Sequence, residues 1–239
     1  MISPGAVRDE PGAPLATLAV LSEEMRWRLY AYARAVRRPI TREEAAASTG
    51  ISRKLAAFHL DKLVAVGLLQ ASCDAPPGPR RVGRTPKTYE LSGKGVAVSI
   101  PARRHDLLAG ILLDAVLATA DGSDARAAAV ASAQAAGHEL GAGQRERLRP
   151  GQLGAERALT IAGQILDADG FEPEREAPAR LRLRNCPFHP LAAQSPELVC
   201  AIGRAYVAGL LAGLGATTAE AALDPEPGFC CVRLTRAAG

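Results

Sequence analysis

Aromatic residues are scarce. Phe, Trp and Tyr together make up 4% of the 239 residues, with a single Trp. That scarcity argues against a β-sandwich, and the abundance of Ala and Leu favours helices. Long hydrophobic runs are missing too. No apolar stretch reaches the roughly 18 residues a membrane span needs; Ala205–Ala216 is the nearest and is too short. No membrane partner is therefore expected. The opening MISPGAVRDEPGAPLATLAV has an acidic pair and no basic start, unlike a secretory signal. Cysteines number five, at 73, 186, 200, 230 and 231, and the odd count argues against a closed disulfide framework. These features point to a cytoplasmic protein in a reducing compartment. Catalytic signatures are also lacking. There is no Gly-rich phosphate loop, no His-Glu-x-x-His and no Gly-x-Ser-x-Gly, and the four histidines are scattered at 59, 105, 138 and 189. An enzyme is not expected.

What is present is a core-sized hydrophobic content of 48% and an uneven charge. The net charge of +4 averages two unlike halves. Residues 1–105 carry 17 Lys+Arg against 9 Asp+Glu, a net of +8. Residues 106–239 carry 12 against 16, a net of −4. A basic half suits a polyphosphate partner, because neutralising phosphates releases counterions.

Punctuation along the chain divides it further. Residues 1–20 hold Pro4, Pro11 and Pro14 with no sustained period and read as a flexible arm. Ser22 is placed to cap a helix that stops at Arg38-Pro39. Thr41-Arg42-Glu43-Glu44 is a capping box, and Thr49-Gly50 closes the short helix it starts. Ser52 caps a third helix, Arg53 to Val66, ended by Gly67. Leu68–Ala71 and Thr88–Leu91 read as the strands of a hairpin around a proline-rich loop. The expected fold class is α+β. A winged helix-turn-helix DNA-binding domain is read over 21–100, and a second domain over 101–239, which the resemblances given below imply to be a dimerisation and effector-sensing domain. In the second domain a helical segment spans roughly 103–120, with Leu107, Leu108, Ile111, Leu112, Ala115 and Val116 as an apolar stripe that suits dimerisation and an intramolecular core equally. A small α+β sensory domain follows. It has helices at 124–140, 155–167 and 196–214, a loop at 141–151, and strands at 171–176, 180–184 and 230–235.

The N-terminal residues of a helix lying in the major groove meet base edges. Here those are Ser52, Arg53 and Lys54, followed by Ala57 and Phe58, with Lys62 further along. Arg53 suits a guanine edge, and Phe58 a thymine methyl. Ala56, Leu60 and Leu63 share the core face, and His59 reads as a packing residue. Arg84 and Lys87, on the hairpin, are expected to contact the DNA backbone or minor groove.

The run Thr49-Gly50-Ile51-Ser52-Arg53-Lys54-Leu55-Ala56-Ala57-Phe58-His59-Leu60-Asp61-Lys62-Leu63, with Gly67-Leu68-Leu69, resembles the ArsR-like bacterial winged-helix repressors. So does Gly83-Arg84-Thr85-Pro86-Lys87-Thr88-Tyr89-Glu90-Leu91, against a Gly-Arg-x-x-x-x-Tyr-x-Leu signature. The resemblance covers about residues 21–100. It implies a homodimer that binds a palindromic double-stranded DNA operator.

Four of the five cysteines lie in the last quarter of the chain. Cys186 and His189 form a Cys-x-x-His unit able to chelate one metal. Cys200 lies near the start of a helix, where the dipole favours thiolate. Cys230 and Cys231 open a strand and are expected to point to opposite faces. Three thiolates with one more ligand suit zinc or an iron–sulfur cluster. Asn185-Cys186-Pro187-Phe188-His189-Pro190-Leu191-Ala192, Pro196–Cys200 and Pro227–Leu234 resemble the effector domain of SufR-type iron–sulfur-sensing repressors. That resemblance implies Cys186, Cys200 and Cys230 as ligands of a [4Fe–4S] or [2Fe–2S] cluster. Residues 201–229 hold no further cysteine, which leaves His189 or Cys231 as the fourth ligand. The alternatives are a structural zinc at Cys186/His189/Cys200/Cys230, or no metal and an organic effector bound between helices 124–140 and 205–215. Cys73 receives no role.

Overall fold

The computed structural model describes residues 13–73, 86–119 and 124–238. The fold is mixed, 56% helical and 14% strand. Two compact units, Met1–Val98 and Ser99–Gly239, divide it.

The first unit holds α1 (Ala13–Leu21), α2 (Glu24–Val36), β1 (Ile40–Thr41), α3 (Arg42–Thr49), α4 (Arg53–Ala65), β2 (Leu69–Ser72) and β3 (Thr88–Leu91). α1 corrects the expectation of a flexible arm over 1–20. Leu15, Ala16, Leu18 and Ala19 are good helix formers, and Pro14 sits in the first turn, where its missing N–H costs nothing. Residues 1–12 lie outside the described residues. The cap of α2 is also corrected. Glu23 caps it by accepting from the Met25 and Arg26 amides at 3.0 Å, while Ser22 Oγ donates back to the Ala19 carbonyl. The capping box at α3 forms as expected: Thr41 Oγ1 accepts from the Glu44 amide at 3.2 Å, and Glu44 accepts from the Thr41 amide at 2.8 Å. Gly50 at φ 72° ends α3 in the left-handed region glycine favours.

β3 is the middle of a three-stranded antiparallel sheet, with Ile40 opposite Tyr89 and Leu69 opposite Leu91. β1 has no counterpart in the sequence reading. Leu29, Ile40, Ala45, Ala56, Leu60 and Leu63 are fully buried in one core closed by Tyr89. Three-residue and four-residue spacing puts Ala56, Leu60 and Leu63 on one face of α4, as expected.

The second unit contains α5 (His105–Ala118), α6 (Ala125–Leu148), α7 (Ala155–Ala168), β4 (Pro173–Ala177), β5 (Arg180–Leu183), α8 (Leu191–Gln194), α9 (Pro196–Leu214), β6 (Ala219–Leu223) and β7 (Val232–Arg236). Its antiparallel sheet runs β4-β5-β7-β6. Leu159 and Leu166 of α7, Ile202 and Leu210 of α9, and Leu183, Val232 and Leu234 of the sheet share one core. α8 and β6 were not read from the sequence.

The loop expected over 141–151 is overturned: α6 continues to Leu148. Its glycines serve packing rather than turning. A Cβ on Gly137 would stand 2.0 Å from the Tyr206 carbonyl oxygen, and one on Gly141 would stand 2.3 Å from that of Leu210. α9 reciprocates, with Gly209 against the Gln134 carbonyl and Gly213 against that of His138. The two helices therefore meet backbone to backbone. Arg145 finishes the pair by donating to the Leu214 carbonyl at 2.6 Å, satisfying a carbonyl in the last turn of α9.

α9 has 19 residues and a mean hydropathy of 1.5, so by length and composition it could cross a bilayer. Its charged residues, Glu197 and Arg204, lie in its first half. Here 61% of its apolar window is buried within the unit, as in a core helix. On α5 only part of the expected stripe is buried. Leu108, Ile111 and Ala115 face inward, while Val116 and Leu117 remain 70% and 75% exposed.

Candidate functional sites

The first site is the N-terminal face of α4. Ser52 Oγ accepts from the Leu55 amide at 3.2 Å and fixes the start of the helix. With the opposite face buried, Arg53, Lys54, Phe58 and Lys62 are exposed and Ala57 is half-buried. Lys62 Nζ lies 5.7 Å from the Phe58 ring centre, a cation–π distance. The His59 ring is mostly buried, with Nδ1 3.4 Å from Glu23 Oε2. It joins α4 to the cap of α2, a packing role. Arg84 lies outside the described residues. Lys87 is not a free cation: its Nζ is 2.6 Å from Asp61 Oδ1, and it lies 5.1 Å from the Tyr89 ring centre. Tyr89 Oη donates to the same Asp61 oxygen at 3.1 Å. The Asp61 contact raises the Lys87 pKa, and burial raises that of Tyr89. Asp61 was missed from the sequence. Its signal was a lone acid on a cationic helix segment.

The second site gathers thiols. Cys186 follows β5, Cys200 lies in α9, and Cys230 and Cys231 lie in the bend before β7. The Cys186 thiol interacts with that of Cys230, Cys230 with Cys231, and Cys231 with Cys200. Cys200 also feels the charges of Cys186 and Cys230. Two expectations are thereby corrected. Cys230 and Cys231 do not alternate across a strand, because β7 begins only at Val232, and both join the thiol group. Nor is Cys200 held as thiolate by the helix dipole. Burial raises its pKa, and the lowering influence of Cys231 does not offset it.

The neighbours act the same way. The Cys230 contact, then burial, hold the Cys186 thiol far above its ordinary value, while the Phe188 and His189 amides pull the other way. Cys186 lowers the pKa of Cys230, but Cys231 and burial win and push it up to about 12. The four sulfurs are near enough to perturb one another, yet among the described residues no three His, Cys, Asp or Glu donors close on a single point as for one ion. His189 is exposed. Its carbonyl accepts from His105 Nε2 at 3.0 Å. Cys73 is exposed at the end of β2, in the other unit.

The sequence also did not disclose what holds the 224–231 bend. Arg182, with its side chain 10% exposed, pairs with Glu176 at 2.5 Å and with Glu226, and lies 4.7 Å from the Phe229 ring centre. Arg233 pairs with Asp224. The Cys230 amide donates to the Leu183 carbonyl at 2.8 Å, which brings the cysteine beside the end of β5 that leads to Cys186.

Where the glycines of α6 and α9 meet, the two backbones leave no room for a methyl group. A depression of ≈ 310 Å³ lies on their outer side, lined by Ala131, Gln134, Ala135, His138, Gly209 and Ala212. No family model, curated protein or solved structure matches this chain.

Proposed function

We propose that the chain is a homodimeric DNA-binding transcription regulator, most simply a repressor, whose operator affinity is set by an iron–sulfur cluster held by Cys186, Cys200, Cys230 and Cys231. The observation that carries this reading is the gathering of four thiols from three separate stretches of chain into one group. Buried cysteines acting only as small hydrophobes have no need to meet.

The donor set suits the cluster. Thiolates are the usual ligands of iron–sulfur centres. Zinc is the competing occupant of the same thiols, with Zn–S bonds of about 2.3 Å. Cys231 takes the fourth place because it shifts the titration of both Cys200 and Cys230. When bound, the cluster supplies metal–thiolate bonds that neutralise the thiolate charge and cross-link the three stretches. The chain's own part is to bring the sulfurs together through the Arg182 network and the α9 packing, and to offer the Phe188 and His189 amides to the Cys186 sulfur.

The first unit supports the DNA half of the proposal. Helices α3 and α4 meet at the Gly50 turn, and the β2–β3 hairpin follows, as in a winged helix-turn-helix. The exposed Ser52, Arg53, Lys54, Phe58 and Lys62 face would be the recognition surface, with the hairpin as the wing. Apolar Val116 and Leu117 on α5 would bury against a second copy.

Metal analysis tests the sensing half. Protein purified without oxygen is assayed for iron, sulfide and zinc and its visible spectrum recorded. Iron and sulfide in comparable amounts with thiolate-to-iron absorption are expected. Zinc without sulfide selects the structural site, and a colourless, metal-free protein that binds DNA normally favours an organic effector.

A further inference from the structure

The segment that enters α5 is bound along its length to the loop that carries Cys186. The first unit ends at Val98, and Ser99 opens the second. A few residues later the hydrogen bonds begin. Asn185 Nδ2 donates to the Ala102 carbonyl at 2.9 Å and to the Gly170 carbonyl at 2.5 Å. Arg103 Nη1 donates to Asn185 Oδ1 at 2.5 Å and to the Cys186 carbonyl at 3.2 Å. The Arg104 amide donates to the Pro187 carbonyl at 2.8 Å, and His105 Nε2 meets the His189 carbonyl at 3.0 Å.

A second tie leads to the helix that carries Cys200. Arg104 Nη1 pairs with Asp169 Oδ1 at 2.8 Å, and Tyr206 of α9 donates to Asp169 Oδ2 at 2.7 Å. Asp169 is 3% exposed and Asn185 7%. A buried amide or carboxylate that loses one partner is left with an unmet hydrogen-bonding group. Small shifts of the loop therefore cannot be absorbed locally. Gly170, at φ 84°, already has no room for a Cβ, which would stand 2.8 Å from that of Ala102.

We propose that Arg103 and Asn185 are positioning residues that couple the state of the thiol site to the segment joining the two units. The inference rests on reading that site as a metal-responsive centre. Arg103 touches the Cys186 peptide rather than its sulfur. When the Cys186 sulfur is drawn onto metal or released, the peptide planes of 185–187 turn with it. The bonds to Arg103 and Arg104 then shift, and with them the path of residues 99–105.

The test uses the full chain. Amide hydrogen exchange is followed at Arg104 before and after anaerobic loading with iron and sulfide, and separately with cadmium ion. Arg103→Gln removes the donor; Arg103→Lys keeps the charge with a single point of contact and guards against a mere folding defect. Loading is expected to change the exchange rate at Arg104 about tenfold in the native chain, a usual size for coupling between sites, and by about twofold or less in Arg103→Gln, with Arg103→Lys between. No change in the native chain, or an equal change in all three, would overturn the relay. A response at Arg104 as expected, without any change in DNA affinity, would leave the relay standing and remove the regulator reading.

Discussion

Lys87 Nζ lies 2.6 Å from Asp61 Oδ1, joining the base of the β2–β3 hairpin to the exposed face of α4. Tyr89 reaches the same carboxylate from β3. In the proposed regulator this makes Lys87 a strut that sets the angle of the wing, while Arg53 reads DNA. The two roles separate by salt dependence. Each phosphate contact adds about 0.9 to the slope of log affinity against log salt. Lys87→Ala should weaken binding while leaving that slope unchanged. Arg53→Ala should cost about 1–3 kcal/mol on a selected duplex and much less on random DNA. A slope reduced by about one in Lys87→Ala would return that residue to the phosphate backbone.

Glycines in α6 provide a paired test of packing. Gly137 stands against the Tyr206 carbonyl with no space for a methyl group, whereas Gly143 has open space around it. Gly137→Ala should destabilise the second unit by 3 kcal/mol or about that, at the upper end of overpacking costs, because backbone rather than a flexible side chain blocks it. Gly143→Ala should stabilise the helix by about 0.5–1 kcal/mol. Urea denaturation of both variants reads the difference directly.

The same glycines mark where the sequence was hard to read. In the first unit the cues were local: Thr41 with Glu44, Gly50 and Ser52 each act within four residues, so α3 and α4 were legible nearly to the residue. Gly141 and Gly143 are also turn formers by composition, and only the distant Leu210 backbone explains why Gly141 sits inside a helix. β1 has two residues and exists because Tyr89 pairs with Ile40, a long-range event. Ala219–Leu223 has helix-forming composition and is a strand only beside β7. Of the thiol site, the identities of the cysteines were legible. Their mutual influence on titration was not, because it depends on the bend at Cys231 and on Arg182 holding the 224–231 stretch.

Glu44 ties acid sensitivity to the α3 capping box. The Arg38 guanidinium, then the Thr41 amide, hold its carboxyl below the usual carboxylate range. A lowered folded-state value means the stabilisation is present above the unfolded value of about 4.5 and is lost as pH falls through the folded one. Glu44→Ala should cost about 1 kcal/mol at neutral pH, a usual cost for a lost cap. Thermal midpoints of the native chain and the variant should converge between pH 5 and about 3. A constant gap down to the acid limit would place the cost elsewhere.

Val116 and Leu117, 70% and 75% exposed on α5, are the surface assigned to the second copy. Leu117→Glu should shift the sedimenting species from dimer to monomer without lowering the thermal midpoint by more than about 0.5 kcal/mol equivalent, the usual effect of a surface change. Loss of operator binding should accompany it, since two half-sites need two recognition helices. A dimer that survives the substitution would move the interface to another face.

The most direct measurement compares one protein in two states. A duplex is selected from random sequences with anaerobically purified protein, and its affinity is measured before and after iron is stripped by a chelator, with iron and sulfide assayed on both samples. The expected result is a change in affinity of about tenfold or more that follows the loss of iron and sulfide and is reversed on reconstitution. Identical affinity in the loaded and stripped protein, or a Cys186→Ser/Cys230→Ser variant that still responds, would contradict control of DNA binding by the thiol site.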